Sequence, residues 1–123
     1  MRNLSAMYGR AASAGTIPIP ITVPSIRVER DGAPAEATAW IEDHLARRRR
    51  LNQLILEYAH NKMLPFLDLF EATADPGTQM LAECYSNDGL HLSTEGYRLF
   101  GTLLYERALA PRLQEHQGQP RTS

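Results

Sequence analysis

Asp88 and His91 stand three residues apart around Gly89, within the stretch Ser86-Asn87-Asp88-Gly89-Leu90-His91-Leu92-Ser93-Thr94-Glu95-Gly96-Tyr97. On a turn rather than in a long helix, this spacing lets the carboxylate fold back onto the imidazole Nδ1–H. The contact fixes the ring tautomer and leaves Nε2 as a general base. Two residues of these types are also metal ligands, and a zinc site built on Asp88 and His91 is an alternative. Such a site needs three or more protein ligands, and spacing identifies no third. Ser93 is placed to cap the helix that follows, Glu95 suits its positive end, and Leu99, Leu103 and Leu104 continue an apolar stripe. The histidine therefore sits just ahead of a helix that has a face to bury.

Nucleophilic catalysis would need a nucleophile and oxyanion donors beside this base and its orienting carboxylate. No Gly-Asp-Ser and no Gly-x-Ser-x-Gly occurs, and the serines are Ser5, Ser13, Ser25, Ser86, Ser93 and Ser123. Ser93 reads as a cap, and Ser86 is too near in sequence to lie across the imidazole. His44 and His60 fall on a long helical pattern and His116 in a polar tail, all read as surface residues.

Asp88-Gly-Leu-His91 followed by Leu-Ser-Thr-Glu-Gly96-Tyr97 resembles the last sequence block of the SGNH (GDSL-type) esterases and lipases. The resemblance implies an α/β fold of flavodoxin-like type, with parallel strands flanked by helices, of which this chain holds the C-terminal part. It implies that Asp88 orients His91 in a Ser-His-Asp triad acting on a small ester, with no cofactor. In that family the serine lies in a Gly-Asp-Ser motif after the first strand, and a Gly and an Asn from later loops bind the oxyanion. None of those blocks is present. The resemblance covers most of residues 1 to 110, and its simplest account is a truncated product or fragment, beginning at an internal Met, that is inactive alone.

The elements that would position the pair follow from periodicity. Leu4, Met7, Tyr8 and Ala11 predict a short helix near residues 3 to 14, ended by Gly15 in the left-handed region. Thr16 to Pro24 is β-branched and predicts a strand, although its prolines each remove a ladder donor. It resembles the family's fourth strand, with residues 24 to 34 an exposed, mobile loop beyond it. From Pro34, apolar residues at helical period across some 25 residues predict the longest element. Arg47-Arg48-Arg49-Arg50 points around almost the whole helix circumference, so at least one aliphatic stem must lie along the core edge of an otherwise solvated run.

Met63 to Phe70 is a short apolar run that predicts a buried strand parallel to the first, joined to it by a right-handed helical crossover. Asp68, within that run, reads as a cap or loop anchor rather than a catalytic group. Asp75-Pro76-Gly77 is a turn, Met80 to Glu83 suggests one helical turn, and the last helix is expected from Thr94 to Leu109 or Leu113.

With 123 residues the chain is one domain, spanning 1–113, followed by a flexible polar tail over 114–123. A net charge of −1 and 22% charged residues imply no attraction to nucleic acid or anionic membrane. A single Cys84 excludes an internal disulfide framework. No stretch approaches the length of a membrane span and the start lacks signal-peptide character, so the chain reads as soluble. Two parallel strands are fewer than a stable sheet needs, and self-association through the exposed strand edge is expected. A non-catalytic α/β module that pairs this edge with another chain is therefore the alternative function.

Overall fold

The computed structural model describes residues 1–29 and 31–118, with side chains described as far as Glu115. Its regular structure is helical: α1 (Arg2–Ser13), α2 (Ala35–Asn61), α3 (Leu69–Thr73), α4 (Thr94–Leu104) and α5 (Ala110–Gly118), with a 3-10 turn at Glu83–Tyr85 and a π turn at Tyr105–Leu109. Among the described residues no helix is long and apolar enough to cross a membrane.

α1 ends as its sequence predicts. Gly15 takes φ +83°, its N–H bonds the Ala12 carbonyl at 3.1 Å and the Thr16 N–H bonds that of Ala11 at 3.0 Å, which satisfies two carbonyls at the helix end. The helix buries no residue fully and docks at its edge, where Tyr8 meets Tyr58 of α2 at 5.4 Å between ring centres. Burial, and then the neighbouring Tyr58, push the Tyr8 hydroxyl pKa up.

In α2 the buried residues Ile41, Leu45, Asn52, Ile55 and Ala59 form one stripe at helical spacing. Arg48 occupies the gap in that stripe. Its side chain is half-buried, and its guanidinium donates to the Pro24 carbonyl and lies 3.1 Å from the His44 ring nitrogen. The other arginines stay outside: Arg47 pairs with Asp43 at 2.9 Å, Arg50 donates to Gln53 at 3.2 Å, and Arg49 is exposed. Ile26, Ile41 and Leu45 make a small core cluster covered by Val28.

The expected parallel-stranded, flavodoxin-like α/β architecture is not what the described residues form, because they contain no sheet. The two predicted strands meet in a single parallel bridge, Ile21 to Leu67. The Thr22 N–H donates to the Leu67 carbonyl at 3.1 Å and the Leu67 N–H to that of Pro20 at 3.0 Å. The pairing stops there for reasons of hydrogen-bond supply. Pro18, Pro20, Pro24 and Pro65 have no N–H to give. Val23, where a ladder would continue, is taken by the Asn52 side chain, which accepts from its N–H at 2.7 Å and donates to its carbonyl at 2.8 Å. On the other side the backbone turns into α3 immediately after Leu67. The strand edge on which the expected self-association depends is accordingly not formed among the described residues.

Three further expectations are corrected. The segment after Pro24 is not wholly an exposed loop: Ser25 and Ile26 are buried and Arg27 is half-buried, and among its described residues Glu29, Asp31, Gly32 and Pro34 are exposed. The helical turn expected at Met80 to Glu83 lies at Glu83–Tyr85 instead, because Leu81 is engaged in an antiparallel bridge with Ala74. The last helical stretch does not end at Leu109 or Leu113 but continues through Gly118, passing Pro111. Proline lacks the N–H of a regular turn and crowds the carbonyl four residues earlier, and the widened π turn at Tyr105–Leu109 lies where that conflict falls. The remainder of the expected tail, 119–123, and the side chain of His116 lie outside the described residues.

Candidate active site

The turn from Ser86 to Ser93 is tied together by short-range bonds that its sequence makes available. Ser86 is buried, its Oγ donates to the His91 carbonyl at 2.6 Å, and it accepts from the Gly89 N–H at 2.9 Å. At the far end Ser93 caps α4 as expected. Its Oγ accepts from the Gly96 N–H and donates to the Cys84 carbonyl, both at 3.2 Å, while its own N–H donates to the Tyr85 carbonyl at 2.8 Å. Gly96 is buried against that carbonyl, so α4 starts in contact with the 3-10 turn that precedes the loop.

On this frame Asp88 and His91 meet. One carboxylate oxygen, Oδ1, accepts from the backbone N–H of Leu90 at 2.8 Å and of His91 at 2.7 Å. The other, Oδ2, lies 2.7 Å from His91 Nδ1. Because an ionised carboxylate only accepts, Nδ1–H is the donor of this contact, which leaves Nε2 as the acceptor of a neutral ring. The hydrogen bond from the His91 ring, with the backbone donors of His91 and Leu90, holds the Asp88 carboxyl well below the usual carboxylate range. Both groups are open to solvent, with side-chain exposures of 75% for His91 and 53% for Asp88.

Four of the described serines direct their hydroxyls to partners other than the His91 ring. The proton of Ser86 goes to a backbone carbonyl inside the turn, and that of Ser93 goes to Cys84. Ser25 is buried and bonds the Ile26 carbonyl at 3.3 Å, and Ser5 bonds its own helix at Arg2. Among the described residues no three His, Cys, Asp or Glu side chains gather where a metal ion could be held. The zinc alternative thus lacks its third ligand there. Asp68 caps α3 by accepting from the Glu71 N–H at 3.2 Å and takes the Thr22 hydroxyl at 2.7 Å, the anchoring part read from its sequence. His44 stacks on Trp40 at 5.2 Å, and His60 is exposed.

Sequence reasoning missed Arg27. Its backbone N–H donates to the Gly89 carbonyl at 2.8 Å, and its guanidinium donates to the carbonyls of Leu81 at 3.1 Å and Ser86 at 3.0 Å. An arginine in a polar, turn-forming segment carries no local mark of such partners. The one usable sign was Gly89 itself, since a glycine between Asp88 and His91 invites a close approach by another backbone. A cavity of about 390 Å³ opens beside Arg27, lined also by Asp75, Met80, Leu81 and Cys84. Neither Asp88 nor His91 lines it, so it is not the cleft in which the pair would act.

No family model matches the chain, and no curated protein matches it. Solved structures do. A GDSL-like lipase from Bacteroides thetaiotaomicron matches with a TM-score of 0.70 at 22% identity, covering 85% of this chain and 48% of that one. A protein named as an acylhydrolase from Bacteroides fragilis matches with a TM-score of 0.73 at 22% identity, covering 90% of this chain and 50% of that one. The resemblance to the GDSL-type hydrolases carried by the Asp88 to Tyr97 block is met at the level of fold. The chain spans about half the length of these structures.

Proposed function

We propose that this chain carries the proton-transfer half of a serine ester hydrolase of the SGNH type. Asp88 is the orienting carboxylate and His91 the general base. The observation that carries the reading is the 2.7 Å contact between Asp88 Oδ2 and His91 Nδ1. In the proposed cycle His91 Nε2 takes the proton of a serine hydroxyl as its oxygen attacks the ester carbonyl. Asp88 holds the ring and offsets the positive charge it acquires. The imidazolium then gives that proton to the departing alcohol as the carbon–oxygen bond breaks. Water repeats the sequence on the acyl-serine, releasing acid and restoring the hydroxyl.

The serine and the oxyanion donors belong, in this reading, to a segment outside this sequence that completes the cleft. The exposure of His91 and the flanking Leu90 and Tyr97, each 60% exposed, fits a site that lacks its opposite wall.

The test is complementation. A Gly-Asp-Ser segment of a GDSL-type hydrolase, co-expressed with this chain, is expected to form a complex that hydrolyses p-nitrophenyl esters. Replacing either the added serine or His91 by alanine is expected to cost about 10⁴-fold or more in kcat. A stable complex without activity overturns the reading, and so does ester hydrolysis by this chain alone that survives His91→Ala.

A further inference from the structure

We propose that Arg27 is the positioning residue of the Asp88–His91 turn, its guanidinium fork spanning the Leu81 and Ser86 carbonyls while its backbone N–H holds Gly89. The inference rests on the reading of the pair given above.

Three bonds from one residue reach both ends of the segment that leads into the pair. The guanidinium closes on Leu81 and Ser86 at 3.1 and 3.0 Å, and the backbone N–H closes on Gly89 at 2.8 Å, between the two functional side chains. Ser86 passes the constraint onward. Its carbonyl accepts from Arg27, while its hydroxyl accepts from the Gly89 N–H and donates to the His91 carbonyl. A shift of Ser86 therefore moves the backbone of both Gly89 and His91. The N–H groups of Leu90 and His91 hold the other oxygen of the carboxylate that meets the ring.

Both oxygens held by the fork are backbone carbonyls, so the cation serves as a rigid pair of donors rather than as a charge partner. Arginine can span two such carbonyls in one plane, whereas lysine offers a single nitrogen on a flexible stem. Ser86 is fully buried, so loss of the donor to its carbonyl is costly.

The experiment compares wild type, Arg27→Lys and Arg27→Met by carbon-detected NMR titration of the Asp88 carboxyl, with thermal unfolding recorded in parallel. In wild type the Asp88 midpoint lies below the ordinary 3.8, held down by its hydrogen bonds from His91 and Leu90. In both variants it is expected to climb by about 1 pH unit as the turn loosens, more in Arg27→Met. In the esterase completed by complementation, Arg27→Lys is expected to lower kcat with KM unchanged.

An unchanged Asp88 midpoint in both variants, with or without a fall in melting temperature, shows a merely structural arginine. A wild-type midpoint in Arg27→Lys beside a shifted one in Arg27→Met shows that charge rather than the fork acts. Either result overturns the proposal. Should neither variant fold, the Arg27 Nη resonances of the wild-type chain decide: separate, slowly exchanging signals support the fork, and one averaged signal overturns it. The titration and the Nη signals need no ester hydrolysis, so failure of the catalytic reading and failure of this inference are told apart.

Discussion

A β-carbon on Gly89 would stand 2.2 Å from the Arg27 carbonyl oxygen. The two backbones are in contact at the point where the turn passes from Asp88 to His91, and Gly89 holds φ +80° there. An alanine at this position meets two costs at once. The left-handed backbone costs a residue with a side chain about 1–2 kcal/mol, and the clash is with backbone that no rotamer change can relieve.

Gly89→Ala is accordingly expected to lower stability by about 2 kcal/mol or more and to separate Asp88 from His91. Thermal unfolding reads the first effect and the Asp88 carboxyl titration the second. A variant as stable as wild type, with an unshifted Asp88, would show that the turn and residue 27 are not in contact in solution.

Gly96→Ala opposes two effects of known sign. Alanine in a helix is favoured over glycine by about 1 kcal/mol. Its β-carbon, however, would lie 2.6 Å from the Tyr85 carbonyl and 3.1 Å from the Leu92 side chain. That carbonyl also accepts the Ser93 N–H at 2.8 Å, so it cannot retreat without loosening the start of α4. Overpacking is expected to win, with a net loss of about 1–2 kcal/mol in denaturant unfolding. A gain in stability would mean that α4 stands further from the 3-10 turn.

Asn52→Ala tests what replaces the sheet. The amide occupies both the N–H and the carbonyl of Val23 from a position that is 5% exposed. Truncation leaves the half-buried Val23 N–H and carbonyl without their partner, at a cost of about 2 kcal/mol. Urea unfolding measures it, and a loss below about half that figure would show that water reaches Val23 freely.

Asp88 sets an acid dependence whose sign follows from its depressed pKa. Its folded value lies below the unfolded one, so its stabilising contribution is present above pH 3.8 and is lost as pH falls through the depressed folded value. The first cause of the depression is the His91 ring. In His91→Ala the carboxyl midpoint is expected to rise, stopping short of the ordinary value because the backbone N–H groups of Leu90 and His91 remain. NMR titration from pH 6 downward follows it. A midpoint that stays put would place the ring away from the carboxylate.

Much of the candidate site was legible in residue order because its bonds are local. The contact of Asp88 with His91, the Ser93 cap and the Gly15 helix end each close within a few residues, where spacing and side-chain reach leave few alternatives. The long stripe of α2 was legible for the same kind of cause, since a helix repeats its face with a fixed period. The predicted strands were not: β-branched residues signal extended backbone, but a sheet exists only if a partner offers free donors and acceptors. Prolines and the Asn52 amide withdraw them at Val23 and its neighbours. Nor could Arg27 be read, because its carbonyl partners lie 54 and 59 residues away. Partners at that separation are chosen by packing of the whole chain, and no residue near Arg27 in sequence records which carbonyls it will meet.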